Sequence, residues 1–175
     1  MENQKIKSKE NSGMYFGKVT MTLKKGNQKY KTIVQHNKGT EEFFKYILNC
    51  IQGNNLYNYR PGYARLIYKV LKPDGKTYEE KVARYPINYT EIGDVITIPE
   101  SDEDPTYPRA SMIYHFFIPE TLIEYNNDVI GVQLLSLDNS RTLYAEVRFD
   151  DPVTVNTNTN IDLQWEMSIR NYVEK

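Results

Sequence analysis

Residues 161–170 alternate between apolar and polar side chains without a break, and this pattern constrains the fold most. Successive side chains of a β-strand point to opposite faces of the sheet, so a period of two predicts a strand with one buried face. The set expected to face inward is Ile161, Leu163, Trp165, Met167 and Ile169, and the set expected to face outward is Asp162, Gln164, Glu166, Ser168 and Arg170. Trp165 is therefore predicted to lie in the core.

The same type of signal recurs along the chain and predicts several further strands. Residues 14–24 alternate in the same way, and they are followed by the turn residues Lys25, Gly26 and Asn27. Proline presets φ and glycine accepts a positive φ, so residues 73–76, Pro-Asp-Gly-Lys, predict a hairpin. The remaining predicted strands cover residues 29–35, 64–71, 77–84, 95–98, 111–118, 129–137 and 142–149.

Residues 40–52 change the period from two to that of a helix. Their apolar side chains are spaced along one helical face, which we expect to pack on a sheet: Phe43, Phe44, Ile47, Leu48 and Ile51. Thr40 is a suitable N-cap, two glutamates follow it, and Gly53 can end the helix. This is the one substantial helix that the sequence predicts.

Eight to nine predicted strands and one helix indicate a mostly β domain. Turns connect most of the strands and no βαβ alternation occurs, so we expect an antiparallel β-sandwich or a flattened barrel with one inserted α-helix. The domain is predicted to cover residues 14–175. Residues 1–13 are polar and lack periodicity, so we interpret them as a flexible N-terminal arm that orders on a neighbouring subunit.

The charge and the cysteine count exclude several functional classes. The net charge is -1, whereas binding to nucleic acid through phosphate neutralisation needs a basic excess. Cys50 is the only cysteine, so an intramolecular disulfide is impossible. No apolar run reaches the roughly 18–20 residues of a membrane-spanning helix, and the N-terminus lacks the apolar core of a signal peptide. We expect a soluble protein that is made in the cytoplasm.

Few residues in the sequence suggest chemistry. His115 lies in an apolar strand and His36 precedes a turn, so structural roles explain both better than catalysis does. Cys50 lies near the apolar helical face, where a buried thiol acts as a small hydrophobic group. Residues 102–104 are Asp-Glu-Asp, which we interpret as a solvated acidic loop, with calcium binding as the alternative. We expect no cofactor and no enzymatic activity, although a hydrolase with paired carboxylates stays open.

The most distinctive loop lies between the helix and the next strand. Tyr57, Tyr59, Arg60 and Tyr63 fall within seven positions, in a segment rich in Asn, Pro and Gly. Tyrosine and arginine are enriched at protein interfaces, and exposed tyrosines also serve as stacking platforms for sugars. The enrichment favours a protein interface, and a carbohydrate platform is the alternative.

The chain resembles small virion structural proteins of tailed bacteriophages. The resemblance rests on the segment HNKGT (residues 36–40) before an aromatic helix, on RPGY (60–63), on YHFFIP (114–119) and on the closing strand IDLQWEMSI (161–169). It implies a non-catalytic structural component located in the virion. Such a component assembles with other virion proteins at a neck, tail or fibre attachment, as a homo-oligomer. The alternative from another class is a receptor- or carbohydrate-binding β-sandwich module.

Overall fold

The computed structural model describes residues 15–37, 39–98, 109–124, 128–156 and 158–170. These residues form two antiparallel sheets and one α-helix, and the sheets do not close into a barrel. The prediction of a mostly β sandwich with one inserted helix is confirmed, and the flattened barrel is excluded. The predicted arm at residues 1–13 and the acidic loop at residues 102–104 lie outside the described residues.

The first sheet has six strands in the order β2-β1-β11-β8-β6, and β7 also pairs with β8. All its pairings are antiparallel. The longest strands match the segments with the clearest alternation. The bounds are β1 Tyr15–Lys25, β2 Gln28–Asn37, β6 Glu91–Ile92, β7 Ile96–Ile98, β8 Arg109–Ile118 and β11 Asn160–Arg170.

The second sheet has five strands in the order β10-β9-β3-β4, and β5 also pairs with β3. The predicted hairpin joins β3 to β4, with Gly75 at a φ of 67°. The two-residue strands β5 and β6 were not predicted, because two residues are too few to show a period. The bounds are β3 Pro61–Leu71, β4 Tyr78–Val82, β5 Ile87–Asn88, β9 Asp128–Ser136 and β10 Leu143–Thr154.

The core lies between the two sheets, and Trp165 is at its centre with no exposed surface. The burial of Trp165 confirms the prediction from the alternating segment. The inner faces of both sheets contribute aliphatic side chains that are fully or almost fully buried, among them Val19, Met21, Leu163, Leu66, Val132 and Leu134. Packing of this kind is the main favourable contribution to the stability of such a domain.

The outer face of β11 departs from the prediction at two positions. Glu166 and Ser168 do face away from the core, yet their exposed fractions are only 6% and 0%. The Glu166 carboxylate contacts Lys18 Nζ at 2.5 Å and accepts hydrogen bonds from Ser111 and Ser168, each at 3.0 Å. Neighbouring strands thus supply partners that a single strand's pattern cannot show. Ile169 was expected inside, but 47% of its surface is exposed.

The helix α1, Glu41–Ile51, begins and ends as predicted. The Thr40 side chain accepts a hydrogen bond from Phe43 N at 3.3 Å, and Gly53 has a φ of 83° beyond the last turn. Thr40 also joins the helix to the second sheet, because its N–H and hydroxyl donate to the carbonyls of Tyr144 and Leu143 at 2.7 and 2.8 Å. Within the described residues, no helix is long and apolar enough to cross a membrane.

Strand β10 continues further than the sequence predicted. The predicted strand covers residues 142–149, but β10 extends to Thr154, and both Val153 and Val155 are buried. The strand resumes its pairing with β9 after an irregularity between Arg148 and Val153. Because a bulge interrupts the period of two, the second half of the strand does not show the alternation that predicts a strand.

Candidate interface site

The helix exposes much of the apolar stripe that was predicted to pack on a sheet. Only Phe43 is fully buried, with Tyr46 and Ile47 packed beside it, whereas Phe44, Leu48 and Ile51 have 41%, 60% and 76% of their surfaces exposed. At 100° per residue these three lie next to Ile47 on the helix surface. We call Phe44, Leu48 and Ile51 the helix flank. The prediction that the whole stripe packs inside was wrong, because the apolar arc is wider than the contact with the sheets.

The loop after the helix holds Tyr57 and Arg60 as a preformed pair. The Arg60 guanidinium carbon lies 3.6 Å from the centre of the Tyr57 ring, and Arg60 Nη1 donates to the Tyr57 carbonyl at 3.0 Å. Arg60 Nη2 donates to the Tyr89 hydroxyl at 2.6 Å. Burial alone would lower the pKa of Arg60, but the hydrogen bonds to Tyr89 and Tyr57 raise it above its ordinary value. The arginine is therefore charged and oriented before any partner binds.

Tyr59 and Tyr63 lie in the same corner of the molecule, but in different roles. Tyr59 is half exposed, and its carbonyl accepts a hydrogen bond from the Tyr144 hydroxyl. Tyr63, on β3, is only partly exposed, and the guanidinium of Arg141 lies 3.6 Å from its ring centre. The turn that carries Arg141 is joined to the loop by the Leu137 N–H, which donates to the Arg60 carbonyl at 2.8 Å. The four predicted interface residues thus belong to one connected corner.

Tyr144 connects this corner to the helix. Its ring centre lies 5.4 Å from that of Phe43 and 5.5 Å from that of Tyr46, while its hydroxyl reaches the loop. Burial raises the pKa of Tyr144 above its ordinary value, so the hydroxyl keeps its proton and remains a donor. The helix flank and the loop that holds Tyr57 and Arg60 are therefore two parts of a single surface. We call this surface the helix end.

A small apolar cavity of about 190 Å³ opens beneath the helix. Its walls come from the helix, from Pro61 and from the ends of β8 and β11, and they include Ile47, Tyr114, Met167 and Ile169. Burial raises the pKa of Tyr114 to about 12, so this wall stays uncharged at physiological pH. Ile47, which neighbours the helix flank on the helix surface, is one of the residues that line this cavity.

The residues that were considered for catalysis are not brought together. His36 lies opposite Lys18 on β1, and His115 lies opposite Gln164 on β11, each on the outer face of the first sheet. Burial, and then the charge of Lys18, lower the pKa of His36. Cys50 is exposed, so its expected role as a buried hydrophobic group was wrong. Across the described residues, no three His, Cys, Asp or Glu side chains cluster as metal ligands would.

Sequence reasoning missed Tyr89, Arg141 and Tyr144, which orient the predicted residues. Tyr89 follows a two-residue strand, and Arg141 sits in a turn at a φ of 51°. Neither position shows a periodic signal, so only their contacts identify them. The alternation of β10 predicted that one face is buried, but not that Tyr144 spans the space between the helix and the loop.

No protein-family model, no curated protein and no solved structure matches this chain.

Proposed function

We propose that this protein is a non-catalytic structural component of a tailed-phage virion, and that the helix end is the surface by which it joins neighbouring proteins. The observation that carries the proposal is the exposure of the helix flank, above all of Leu48 and Ile51. Water-exposed aliphatic side chains that adjoin one another on a helix mark interaction surfaces in folded proteins. The resemblance to virion structural proteins supports the choice of partner.

The helix flank supplies the energetic core of the proposed interface. Burying a leucine or isoleucine side chain contributes about 1.5–3 kcal/mol relative to leaving it in water. Leu48 and Ile51 keep 60% and 76% of their surfaces exposed in the isolated chain, so most of that contribution is realised only when a partner covers them. The helix itself is already anchored by Phe43, Tyr46 and Thr40, and it presents these side chains without further folding.

Tyr57 and Arg60 form the rim of the same surface. Tyrosine and arginine carry much of the binding energy of many interfaces, and prior orientation lowers the entropy that binding costs. Arg60 is held by the Tyr57 ring and by Tyr89, and Tyr57 exposes 66% of its surface. An apolar centre with an aromatic and charged rim is the common arrangement of protein interfaces.

Repeated use of one surface favours a homo-oligomer as the assembled form. Necks, tails and fibre bases are built from repeated copies, and a closed ring satisfies the same interface on every subunit. Light scattering of the purified protein, measured over a range of concentrations, tests this part of the proposal. We expect a mass of several subunits for the native chain, and a monomer when the helix flank is made polar.

The direct test replaces two helix-flank residues with glutamine by changing their codons in the phage genome. We expect the Leu48→Gln, Ile51→Gln double variant to fold. Each substitution should change the free energy of unfolding by no more than about 0.5 kcal/mol, because both residues are solvent exposed and glutamine favours helices. Mass spectrometry should detect the native chain in purified particles, whereas the double variant should be absent from them.

Tyr85→Gln is the matched control, since Tyr85 is 68% exposed and lies in the connection between β4 and β5, where its backbone N–H donates to Glu124. This variant should enter particles at the native level. Normal incorporation of the double variant would refute the helix end as the interface. Absence of the native chain from purified virions would refute the role in the particle.

A further inference from the structure

A groove crosses the second sheet between β4 and β10, and a bulge in β10 forms one wall. Arg148 pairs with Gly131 of β9, and the next pair is Val153 with Val129, so residues 149–152 lie opposite Ile130 alone. Beyond the bulge, the Thr154 hydroxyl donates to Asp128 at 2.7 Å and closes the ladder again. Bulges of this kind re-aim side chains and often lie beside functional sites. The groove has a volume of about 540 Å³.

The opposite wall is formed by Tyr78, which a rigid turn holds in place. The Asp74 carboxylate accepts hydrogen bonds from the Lys76 and Thr77 N–H groups at 2.8 and 2.9 Å, and also from the Thr77 hydroxyl. Tyr78 follows directly, and 56% of its surface is exposed. Lys69 Nζ lies 4.7 Å from the centre of the ring. The lysine lies over one face of the ring, and more than half of the residue's surface remains exposed.

Arg148 lies between the two walls, and hydrogen bonds to two carboxylates fix the orientation of its guanidinium group. Arg148 Nη1 donates to Glu80 on β4 at 2.8 Å, and its Nε donates to Glu146 at 2.7 Å. Strands β9 and β3 separate β10 from β4, and the arginine side chain passes Gly131 of β9, where a Cβ atom would lie 3.2 Å from Arg148 Cδ. Burial alone would lower the pKa of Arg148, but hydrogen bonds to Glu146 and Glu80 raise it. The network thus fixes the Arg148 guanidinium between the carboxylates of Glu80 and Glu146.

Two charged side chains of the groove are left for a ligand. Glu79 and Glu80 are paired with Lys81 and Arg148. In the described part of the chain, neither Lys69 nor Asp150 forms an ion pair. One ammonium group and one carboxylate, on opposite sides of the groove, offer both donors and acceptors to an uncharged polar ligand.

We propose that this groove binds a saccharide. The exposed ring of Tyr78 suits stacking against the C–H face of a pyranose ring, while Asp150 accepts hydroxyl protons and Lys69 donates to ring or hydroxyl oxygens. The volume lies within the range of about 300–1,000 Å³ that is usual for small-ligand sites. The mixed charges disfavour a polyanion, and the apolar lining beside the charged groups suits a ligand with both C–H and hydroxyl surfaces. The site is separate from the helix end, so it adds a second activity to the proposed assembly function.

The test measures binding of the full chain to three linear hexasaccharides by saturation-transfer NMR and calorimetry. The probes are the β-1,4-linked hexamers of glucose and of N-acetylglucosamine, and the α-1,4-linked hexamer of glucose. We expect saturation transfer from tyrosine protons to at least one probe, with millimolar or tighter affinity. Tyr78→Ala should weaken that binding about tenfold or more, and Asp150→Asn should weaken it by a smaller factor.

Two controls distinguish this groove from other aromatic surfaces. Tyr85→Ala, which removes another exposed tyrosine, and Tyr57→Ala, at the helix end, should leave the dissociation constant unchanged, with circular dichroism confirming that every variant is folded. Absence of binding to all three probes at about 10 mM would overturn the proposal. Loss of binding in Tyr57→Ala but not in Tyr78→Ala would also overturn it. Either result leaves the particle-incorporation test unaffected.

Discussion

The helix end and the β4–β10 groove belong to one domain but differ in their chemistry. At the helix end, the exposed side chains are mainly aliphatic and aromatic, and the charge of Arg60 is held by tyrosines. In the groove, one exposed tyrosine is surrounded by carboxylates, a guanidinium and an ammonium group. Both regions contain tyrosine, so the residue type alone does not distinguish them.

What distinguishes the two regions is the source of stabilisation that a partner would provide. Covering the helix flank removes apolar surface from water, which favours a large and dry protein contact. Filling the groove exchanges hydrogen bonds with water for hydrogen bonds with a ligand, which contributes less per contact and suits a small polar molecule. A sandwich can present both, because its two outer faces and its ends are independent of the core.

The largest effect is expected from the core that both regions share. Trp165 is completely buried, so Trp165→Ala should lower the free energy of unfolding by about 3–5 kcal/mol. Urea unfolding followed by circular dichroism measures this loss and avoids the missing tryptophan signal. A single transition is expected, because both regions rest on one core. Two separate transitions would show that the two regions unfold independently, and would contradict the claim that both rest on one core.

A smaller effect is expected at Gly131, and it is confined to the groove. A Cβ at this position would lie 2.3 Å from the Val147 carbonyl oxygen, so Gly131→Ala forces the backbone of β9 or β10 to shift. Such overpacking costs about 1–3 kcal/mol, and it should also displace Arg148 from Glu80. Two-dimensional NMR should show shift changes around Arg148 and none in the helix.

Gly26→Ala is the control for this variant. Gly26 has a φ of 56°, and the space that a Cβ atom would enter is open, so alanine strains only the turn. Its shift changes should remain in the β1–β2 turn. Changes at Arg148 in the control, or a helix that responds to Gly131→Ala, would contradict the separation of the two regions.

Acid should weaken the polar networks of the two sheets. Burial alone would raise the pKa of Glu166 and of Glu146, but hydrogen bonds from Lys18 to Glu166 and from Gln133 to Glu146 help to hold both below their ordinary value. A carboxyl group with a lowered pKa in the folded state stabilises the protein above about pH 4.5, and this contribution is lost as the pH falls through the folded pKa.

Urea unfolding between pH 7 and pH 3 measures this loss. Glu166→Gln and Glu146→Gln should each make the decline in stability below about pH 4.5 less steep. Tyr46→Phe is the control at the helix end, since burial raises the pKa of Tyr46 and the hydroxyl does not titrate in this range. An unchanged slope in both glutamine variants would contradict the assigned role of the networks.

The smallest effect is expected from the pair formed by Tyr57 and Arg60. An exposed cation–π contact contributes about 0.5–1 kcal/mol, so a double-mutant cycle with Tyr57→Ala and Arg60→Ala should give a coupling of this size in the isolated chain. The more buried pair of Arg141 and Tyr63 should give a coupling at least as large. A coupling of zero for Tyr57 and Arg60 would show that the rim is not oriented before a partner binds.

Local signals predicted the elements well. The alternation of residues 161–170 predicted β11 and the burial of Trp165, and the change of period at residues 40–52 predicted α1 with Thr40 as its cap. These features depend on side-chain spacing within one segment, which the sequence displays directly. The grouping of Tyr57, Tyr59 and Arg60 was also visible, because these residues are neighbours in the chain.

Features that depend on two or more segments were not predictable. The burial of Glu166 depends on Lys18 and Ser111, which belong to other strands. The groove depends on a bulge in β10 opposite Ile130, and on a glycine that lets Arg148 cross a neighbouring strand. Register and bulges are set by pairing between strands, and the side-chain pattern of one strand does not identify the strand with which it pairs.

The sequence by itself determined that the chain forms strands with one apolar face, one capped helix and a buried tryptophan, because these depend on local periodicity and conformational preference. Only the tertiary structure decided which apolar side chains remain in water. The helix has a wider apolar arc than the sandwich can cover, so Phe43 is buried while Leu48 and Ile51 are exposed. The area that a helix buries depends on the shape of the surface on which it packs, and that surface exists only after the sheets have paired.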